Sequence, residues 1–300
     1  MRFPIAPHEH TQAELQQIAL NFAKAYPFCK YQSIGKSVLG KDIYALKIGS
    51  APQSVLYAAA FHGLERITSL LLLRFLENLC HALKHNSEIS RVNARNALKD
   101  QSIVIIPCVN PDGCDIALKG YQTAGKLAKS VYNISKGNTS TWQANARGVD
   151  INHNFNANWP KLRRMEIKAG ITGPAPTRYG GPHAQSEPET AALVNLCRKN
   201  YIKHVLAFHS QGEEIYWHYG ENTPKISEKM AHILAMSSGY TLEAPIGLAS
   251  YGGFKDWFIE EFRRPGFTIE VGYGKNPLPI SNIHEIYAKL EEMLMLGVVI

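Results

Sequence analysis

Two kinds of apolar run alternate along this chain. Residues 11–26 space their apolar positions as one face of a helix, opened by Thr11 and closed before Pro27. The stretch SIGKSVLGKDIYALKIG (33–49) predicts a hairpin turning near Gly40-Lys41. SVLYAAAF (54–61), SIVIIPCV (102–109) and HVLAFHS (204–210) are nearly all apolar, as expected of strands buried on both faces. GFTIEVG (266–272) reads as a fourth such strand, and SIVIIPCV ends at NPDG, a strong turn signal. Helices are expected from about Arg66 to Lys84, near 224–238, near 254–262, and from Ser281 to the end. Another opens at Ser186, with Pro188 in its first turn and Glu189 at capping-box spacing. Residues 114–185 break the rhythm: rich in Gly, Asn, Ser and Pro, they read as a long irregular segment of the functional or mobile kind.

Strands alternating with helices, with no repeat, low-complexity tract or linker, predict an α/β fold. We expect one domain over residues 1–300, an α/β/α sandwich on a mixed, mostly parallel sheet. In such sheets ligands gather beyond the carboxyl ends of the strands. His62 follows the first buried strand, His209 ends the third, and Glu270 lies late in the fourth. Composition, 45% hydrophobic and 19% charged, is that of an ordinary globular protein. The net charge of +7 is scattered rather than gathered into a stripe, which argues against nucleic acid and suits a small anionic substrate. No apolar stretch approaches the roughly 20 residues that cross a bilayer, so no membrane association is expected. The start, MRFPIAPHEHTQ, lacks the apolar core of a secretory signal. Five cysteines without paired metal spacing, with Cys80, Cys108 and Cys197 in apolar settings, read as buried thiols of a reducing cytoplasm.

His62 and Glu65 form H-x-x-E at a strand-to-helix junction, where both side chains can converge on one ion. Zinc accepts imidazole nitrogen and carboxylate oxygen, and catalytic zinc sites use three protein ligands plus a water. The same spacing also describes a helix-start histidine with Glu65 near the positive end of the helix dipole. His209, in AFHSQGEE, supplies a third donor of the right type. Glu270, in FTIEV, is a carboxylate within an apolar strand; it needs a partner or a task, unless strand alternation turns it outward.

Seven landmarks occur in order: HGLE, VNPDG, ARGVDINHNF, YGGP…SEPET, FHSQGE, YGGFKDWF and FTIEVG. Through them the chain, from about Ser33 to the C-terminal helix, resembles the zinc carboxypeptidases, or funnelins. Within that family it is most similar to the γ-D-glutamyl-meso-diaminopimelate peptidases of bacterial cell-wall peptides. The resemblance implies one zinc ion held by His62, Glu65 and His209, with Glu270 as general base and proton shuttle.

The pattern departs from the family in four places. Where other members carry Asn-Arg to grip a terminal carboxylate, this chain reads Asn152-His153, and His cannot offer the fixed fork of donors of Arg. Three better-placed donors leave His153 to substrate contact rather than metal ligation. An arginine that stabilises the oxyanion is replaced by Gln143, and Arg147 nearby either compensates or is a surface residue. Leu248 stands where the family has its mobile tyrosine, so Tyr251 either covers the site or simply packs. Lys255 falls at the pocket floor, where it selects a carboxylate-bearing side chain or is merely solvated. Together these features lead us to expect hydrolysis of the γ-D-glutamyl–meso-diaminopimelate amide of a small anionic cell-wall peptide, in recycling or in spores. The alternatives are a general zinc carboxypeptidase, a related zinc deacylase acting on small acylated amino acids, and a non-catalytic cell-wall-peptide binding module.

Overall fold

The structure, a computed structural model, describes residues 5–300, so the first four residues of MRFPIAPHEHTQ lie outside the described part. Its strands are β1 (Cys29–Lys36), β2 (Asp42–Ile48), β3 (Gln53–Ala59), β4 (Glu88–Ile89), β5 (Val92–Asn93), β6 (Ser102–Ile106), β7 (Tyr201–His209), β8 (Glu214–Tyr216), β9 (Thr241–Glu243) and β10 (Gly266–Glu270). Strands β4 and β5 form a small separate ribbon, and the other eight form one sheet in the order β1-β2-β6-β3-β7-β10-β8-β9. The pairs β6–β3, β3–β7 and β7–β10 are parallel, while β1–β2, β2–β6 and β10–β8 are antiparallel. The sheet is therefore mixed with a parallel centre, the expected α/β architecture.

Helices α1 (Gln12–Ala25), α2 (Ile67–His85), α3 (Ala94–Ala97), α4 (Pro111–Lys119), α5 (Ala128–Ser135), α6 (Trp159–Lys168), α7 (Pro188–Lys199), α8 (Ile226–Ser238), α9 (Phe254–Phe262) and α10 (Ile283–Val299) complete the chain. Period-two alternation splits the core between the two faces of the sheet. Val55, Tyr57, Ile103, Ile105, Leu206, Phe208 and Ile269 pack with α1, α2, α8 and α10. Leu56, Ala58, Val104, Ile106, Val205 and Ala207 pack with α7 and α9 on the opposite face. Both faces are covered, which is why the central strands read as unbroken apolar runs. Among the described residues no helix is long and apolar enough to cross a membrane.

Three expectations are corrected. The segment 114–185 is not irregular throughout, since it holds α5, α6 and most of α4. NPDG is not a free turn: Asn110 caps α4 by accepting from the Gly113 N–H (2.9 Å), with Pro111 in the first turn. The capping box at Ser186 does not form. Helix α7 starts one residue later, Ser186 Oγ donates to Glu187 Oε1 (2.9 Å), and Glu189 turns into the interior. At α1, by contrast, Thr11 and Glu14 make a complete capping box.

Candidate metal centre and active-site cleft

Parallel strands β3 and β7 end side by side and deliver His62 and His209 to the same edge of the sheet. The loop between β3 and α2 is pinned from within. Thr68 Oγ1 donates to the Glu65 carbonyl (2.7 Å) and accepts the Ala60 N–H (3.0 Å), while the Glu65 N–H donates to the His62 carbonyl (3.1 Å). Gly63 passes so close to its neighbours that an added Cβ would lie 2.3 Å from the Gly113 carbonyl oxygen and 2.8 Å from that of Trp142. Only glycine fits there. Asn110 Nδ2 ties the same wall together, donating to the carbonyls of Phe61 (3.0 Å) and Gln143 (3.1 Å).

Donor atoms of His62, Glu65 and His209 all lie within 4.8 Å of one another. His62 Nδ1 is 2.8 Å from Glu65 Oε1, His209 Nδ1 is 3.1 Å from Glu65 Oε2, and the two Nδ1 atoms are 3.3 Å apart. Nitrogens sharing one tetrahedral zinc stand about 3.3 Å apart, given Zn–N bonds of about 2.0–2.1 Å. Two imidazole nitrogens and a carboxylate at these separations fit the ion by spacing and by donor chemistry. Burial opposes charge on His62, but the Glu65 and Asp150 carboxylates outweigh it and raise its pKa well above the ordinary value. Burial likewise opposes charge on Glu65, and the His62 charge with hydrogen bonding from His209 brings it down to about 2. A carboxylate held ionised in a buried pocket is the state in which a cation is bound.

Asp150, which sequence reasoning passed over, sits behind this centre. Its buried carboxylate meets His62 Nε2 (3.1 Å), the Asn152 N–H (3.1 Å) and the Arg178 N–H (2.9 Å). Carboxylate–histidine pairs of this kind fix the orientation and basicity of a metal-binding imidazole. Its signal in the sequence was the one applied to Glu270, a carboxylate embedded among apolar residues in GVDIN.

Glu270 is half-buried at the end of β10, opposite His209 in the sheet register. Burial, then the nearby Glu65 charge, raises its pKa well above the ordinary carboxylate range. It lines a cleft of about 720 Å³ together with His62, Gln143, Asp150, Asn152, His153 and Lys255. Asn152 Oδ1 accepts the Phe254 N–H (3.0 Å) at the start of α9, and His153 Nδ1 faces Glu166 Oε1 (3.3 Å) and the Arg178 carbonyl (3.2 Å). Gln143 Oε1 accepts a short hydrogen bond from Thr177 Oγ1. Lys255 is buried rather than solvated: its Nζ donates to the His218 carbonyl (3.0 Å) and lies against the Asp256 carboxylate.

Two of the expected substrate-contacting residues do not join the cleft lining. Tyr251 accepts a short hydrogen bond from Lys161 Nζ, which also stands 4.4 Å from its ring centre, so Tyr251 packs against α6. Arg147 reaches Glu187 Oε2 (3.5 Å), and its backbone is held by Asn145, which turns it away. Conversely, Arg178, Tyr216, Thr268, Lys275 and Asn276 line the cleft and were not singled out in the sequence. All five cysteines are buried and free, including the three read as buried thiols.

Comparison with known proteins agrees with this geometry. The profile of a family described as zinc carboxypeptidase matches residues 15–293. A γ-D-glutamyl-L-diamino acid endopeptidase 1 from Lysinibacillus sphaericus is 37% identical over 276 residues, covering 91% of this chain and 68% of that protein. An uncharacterized protein, YqgT, from Bacillus subtilis (strain 168) is 35% identical over 266 residues, covering 87% of this chain and 70% of the relative. Among solved structures, bovine thrombin-activatable fibrinolysis inhibitor in complex with tick carboxypeptidase inhibitor superposes with a TM-score of 0.76. That match covers 97% of both chains at 21% identity, a likeness of fold.

Proposed function

The chain belongs to the zinc carboxypeptidase family of metallopeptidases, and on that premise we propose that it hydrolyses the γ-D-glutamyl–meso-diaminopimelate amide of cell-wall peptides. One observation carries the catalytic part: a half-buried carboxylate, Glu270, stands beside the His62–Glu65–His209 donor trio, in register with His209, and has no ion pair among the described residues. The substrate part is supported by the relative from Lysinibacillus sphaericus, whose name specifies a γ-D-glutamyl-L-diamino acid bond. The Lys255–Asp256 pair in the cleft wall adds to this, since a lysine and a carboxylate stand together there, the two group types that complement the carboxyl and amino groups ending a diaminopimelate side chain.

His62, Glu65 and His209 would hold the ion in this reading, and Asp150 would keep His62 turned toward it. Bound zinc lowers the pKa of a water molecule and polarises the scissile carbonyl. Glu270 takes the proton of the attacking water on a carboxylate oxygen, then returns it to the departing amine nitrogen. Burial raises the pKa of Glu270 above the ordinary carboxylate range, which strengthens it as a proton acceptor. Gln143, on the cleft wall, offers a neutral donor toward the developing oxyanion.

Purified protein is incubated with L-Ala-γ-D-Glu-meso-diaminopimelate and with a hippuryl-type peptide, with zinc and with chelator. Release of free diaminopimelate that stops with chelator is the expected result; turnover of the hippuryl peptide alone overturns the substrate reading. Binding of the cell-wall peptide without any turnover would make the chain a binding module instead. Glu270→Gln is expected to lower kcat by about 100-fold or more with zinc content unchanged, and loss of zinc would show that Glu270 serves the metal instead.

A further inference from the structure

Arg178 stands apart from the other arginines near the cleft. Arg163 spends its guanidinium on Glu166 and on the Ile171 and Thr172 carbonyls, and Arg147 leans on Glu187. Arg178 lines the cleft, is exposed, and makes no side-chain hydrogen bond or ion pair among the described residues. Its backbone, by contrast, is fixed on both sides. The Arg178 N–H donates to Asp150 Oδ2 (2.9 Å), and its carbonyl faces His153 Nδ1 (3.2 Å); both partners are buried. These contacts hold it at φ +65°, in the left-handed region that residues with a Cβ rarely adopt. The preceding residues are held along the same wall. The Pro176 carbonyl accepts the N–H groups of Gln143 (2.9 Å) and Ala144 (3.0 Å), and Thr177 donates to Gln143. A loop so tightly fixed, in a conformation so unusual, aims its one free cation at a chosen place.

Charge in the cleft points the same way. Its lining carries the cations Arg178, Lys255 and Lys275 and the carboxylates of Asp150, Asp256 and Glu270. Lys255 is neutralised by Asp256, and the Asp150 oxygens are taken by His62 and two backbone N–H groups. Glu270 is kept for the reaction itself, and Arg178 and Lys275 are the lining cations with no ion-paired carboxylate among the described residues. Of these, only Arg178 has a planar fork matched to a carboxylate and a backbone held by buried groups, one of which, Asp150, also bonds His62.

We infer that Arg178 is a specificity-determining residue that binds a free carboxylate on one of the two residues flanking the scissile amide. This rests on the cleft being a γ-D-glutamyl peptidase site, whose substrate carries such a carboxylate on each side. One belongs to the D-glutamate α-carbon, and the other to the diamino-acid carbon next to the scissile nitrogen. The fork accepts either with two parallel N–H···O bonds; the chemistry is the same and the source is a matter for substrates.

Three peptides separate the sources: L-Ala-γ-D-Glu-meso-diaminopimelate, its D-isoglutamine form, and a form amidated at the diamino-acid carboxylate beside the scissile nitrogen. Arg178→Asn removes the charge while keeping a residue that tolerates positive φ; Arg178→Lys keeps the charge without the fork. We expect Arg178→Asn to lower kcat/KM on the free acid by about 10- to 100-fold, chiefly through KM, with Arg178→Lys between. On the peptide whose amide replaces the carboxylate read by Arg178, the two variants should match the wild type to within about twofold. Equal losses on all three peptides, or none, would overturn the inference, as would a selective loss with Lys275→Ala and not with Arg178→Asn. Should the wild-type enzyme cleave only hippuryl-type peptides, the substrate reading alone fails. The same variants are then compared on the hippuryl peptide and its C-terminal amide, where a loss confined to the free acid sustains the role of Arg178 and an even loss ends it.

Discussion

Replacing Glu189 by Gln should change how the stability of the fold responds to pH, without touching the cleft. Glu189 is fully buried at the start of α7. Its Oε1 accepts the Val38 N–H (3.1 Å) and its Oε2 the side-chain amide of Asn145 (3.2 Å). Burial, with a further push from the Asp112 carboxylate, outweighs those hydrogen bonds and raises the pKa from 4.5 to about 7. A group that is a weaker acid when folded favours the folded state most below its unfolded pKa, and that contribution is lost as pH rises through the folded pKa. Over this window the unfolded chain releases its proton first, so wild-type stability falls with rising pH. Integrated between pH 5 and pH 8, this shift is worth about 2.5 kcal/mol, a sizeable part of a stability of about 5–15 kcal/mol. Gln has no proton to release. The stability difference between wild type and Glu189→Gln should therefore move by about 2.5 kcal/mol in favour of the variant from pH 5 to pH 8. Urea unfolding followed by circular dichroism measures it, with zinc equal in both samples so that metal linkage cancels in the difference. A gap that stays constant to within about 0.5 kcal/mol, or that moves the other way, refutes the assignment.

The metal centre and its frame give two further predictions. Asp150→Asn keeps the shape behind His62 but removes the charge that orients and polarises it, so zinc affinity should fall by about 10- to 100-fold. Competition with a chromophoric chelator reads this directly, and unchanged affinity would mean that Asp150 serves only the Asn152 and Arg178 backbone. Gly63→Ala places a Cβ against two backbone carbonyls that cannot rotate away, and should cost about 1–3 kcal/mol of stability. A melting temperature like that of the wild type would show that the His62 loop is looser than its contacts imply.

What the sequence made legible follows from where each residue's partners lie. Strands β3, β6 and β7 announced themselves because helices cover both faces, which forces nearly every position to be apolar. Strands β8 and β9 did not, being three-residue segments of mixed composition, too short to show a period. Helix α6 stayed hidden because it buries only Leu162 and Glu166, and Glu166 is held by Arg163 and the Gly180 N–H rather than by apolar contact. Periodicity detects apolar stripes and cannot see a helix docked through a buried carboxylate. The same distinction runs through the site. His62 and Glu65 meet within one local turn, so their spacing was visible in the sequence. Asp150 reaches His62 across 88 positions, and Arg178 reaches Asp150 across 28, so neither contact leaves a local pattern. Asn110, by contrast, does shape the backbone beside the site, but as a helix cap rather than a turn, because Asn-Pro-Asp-Gly satisfies a tight turn and a capped helix start equally well. The residues that could hold the ion are thus written in short motifs. Those that orient them and, in our inference, recognise the substrate come from distant loops, and only the folded chain brings them together.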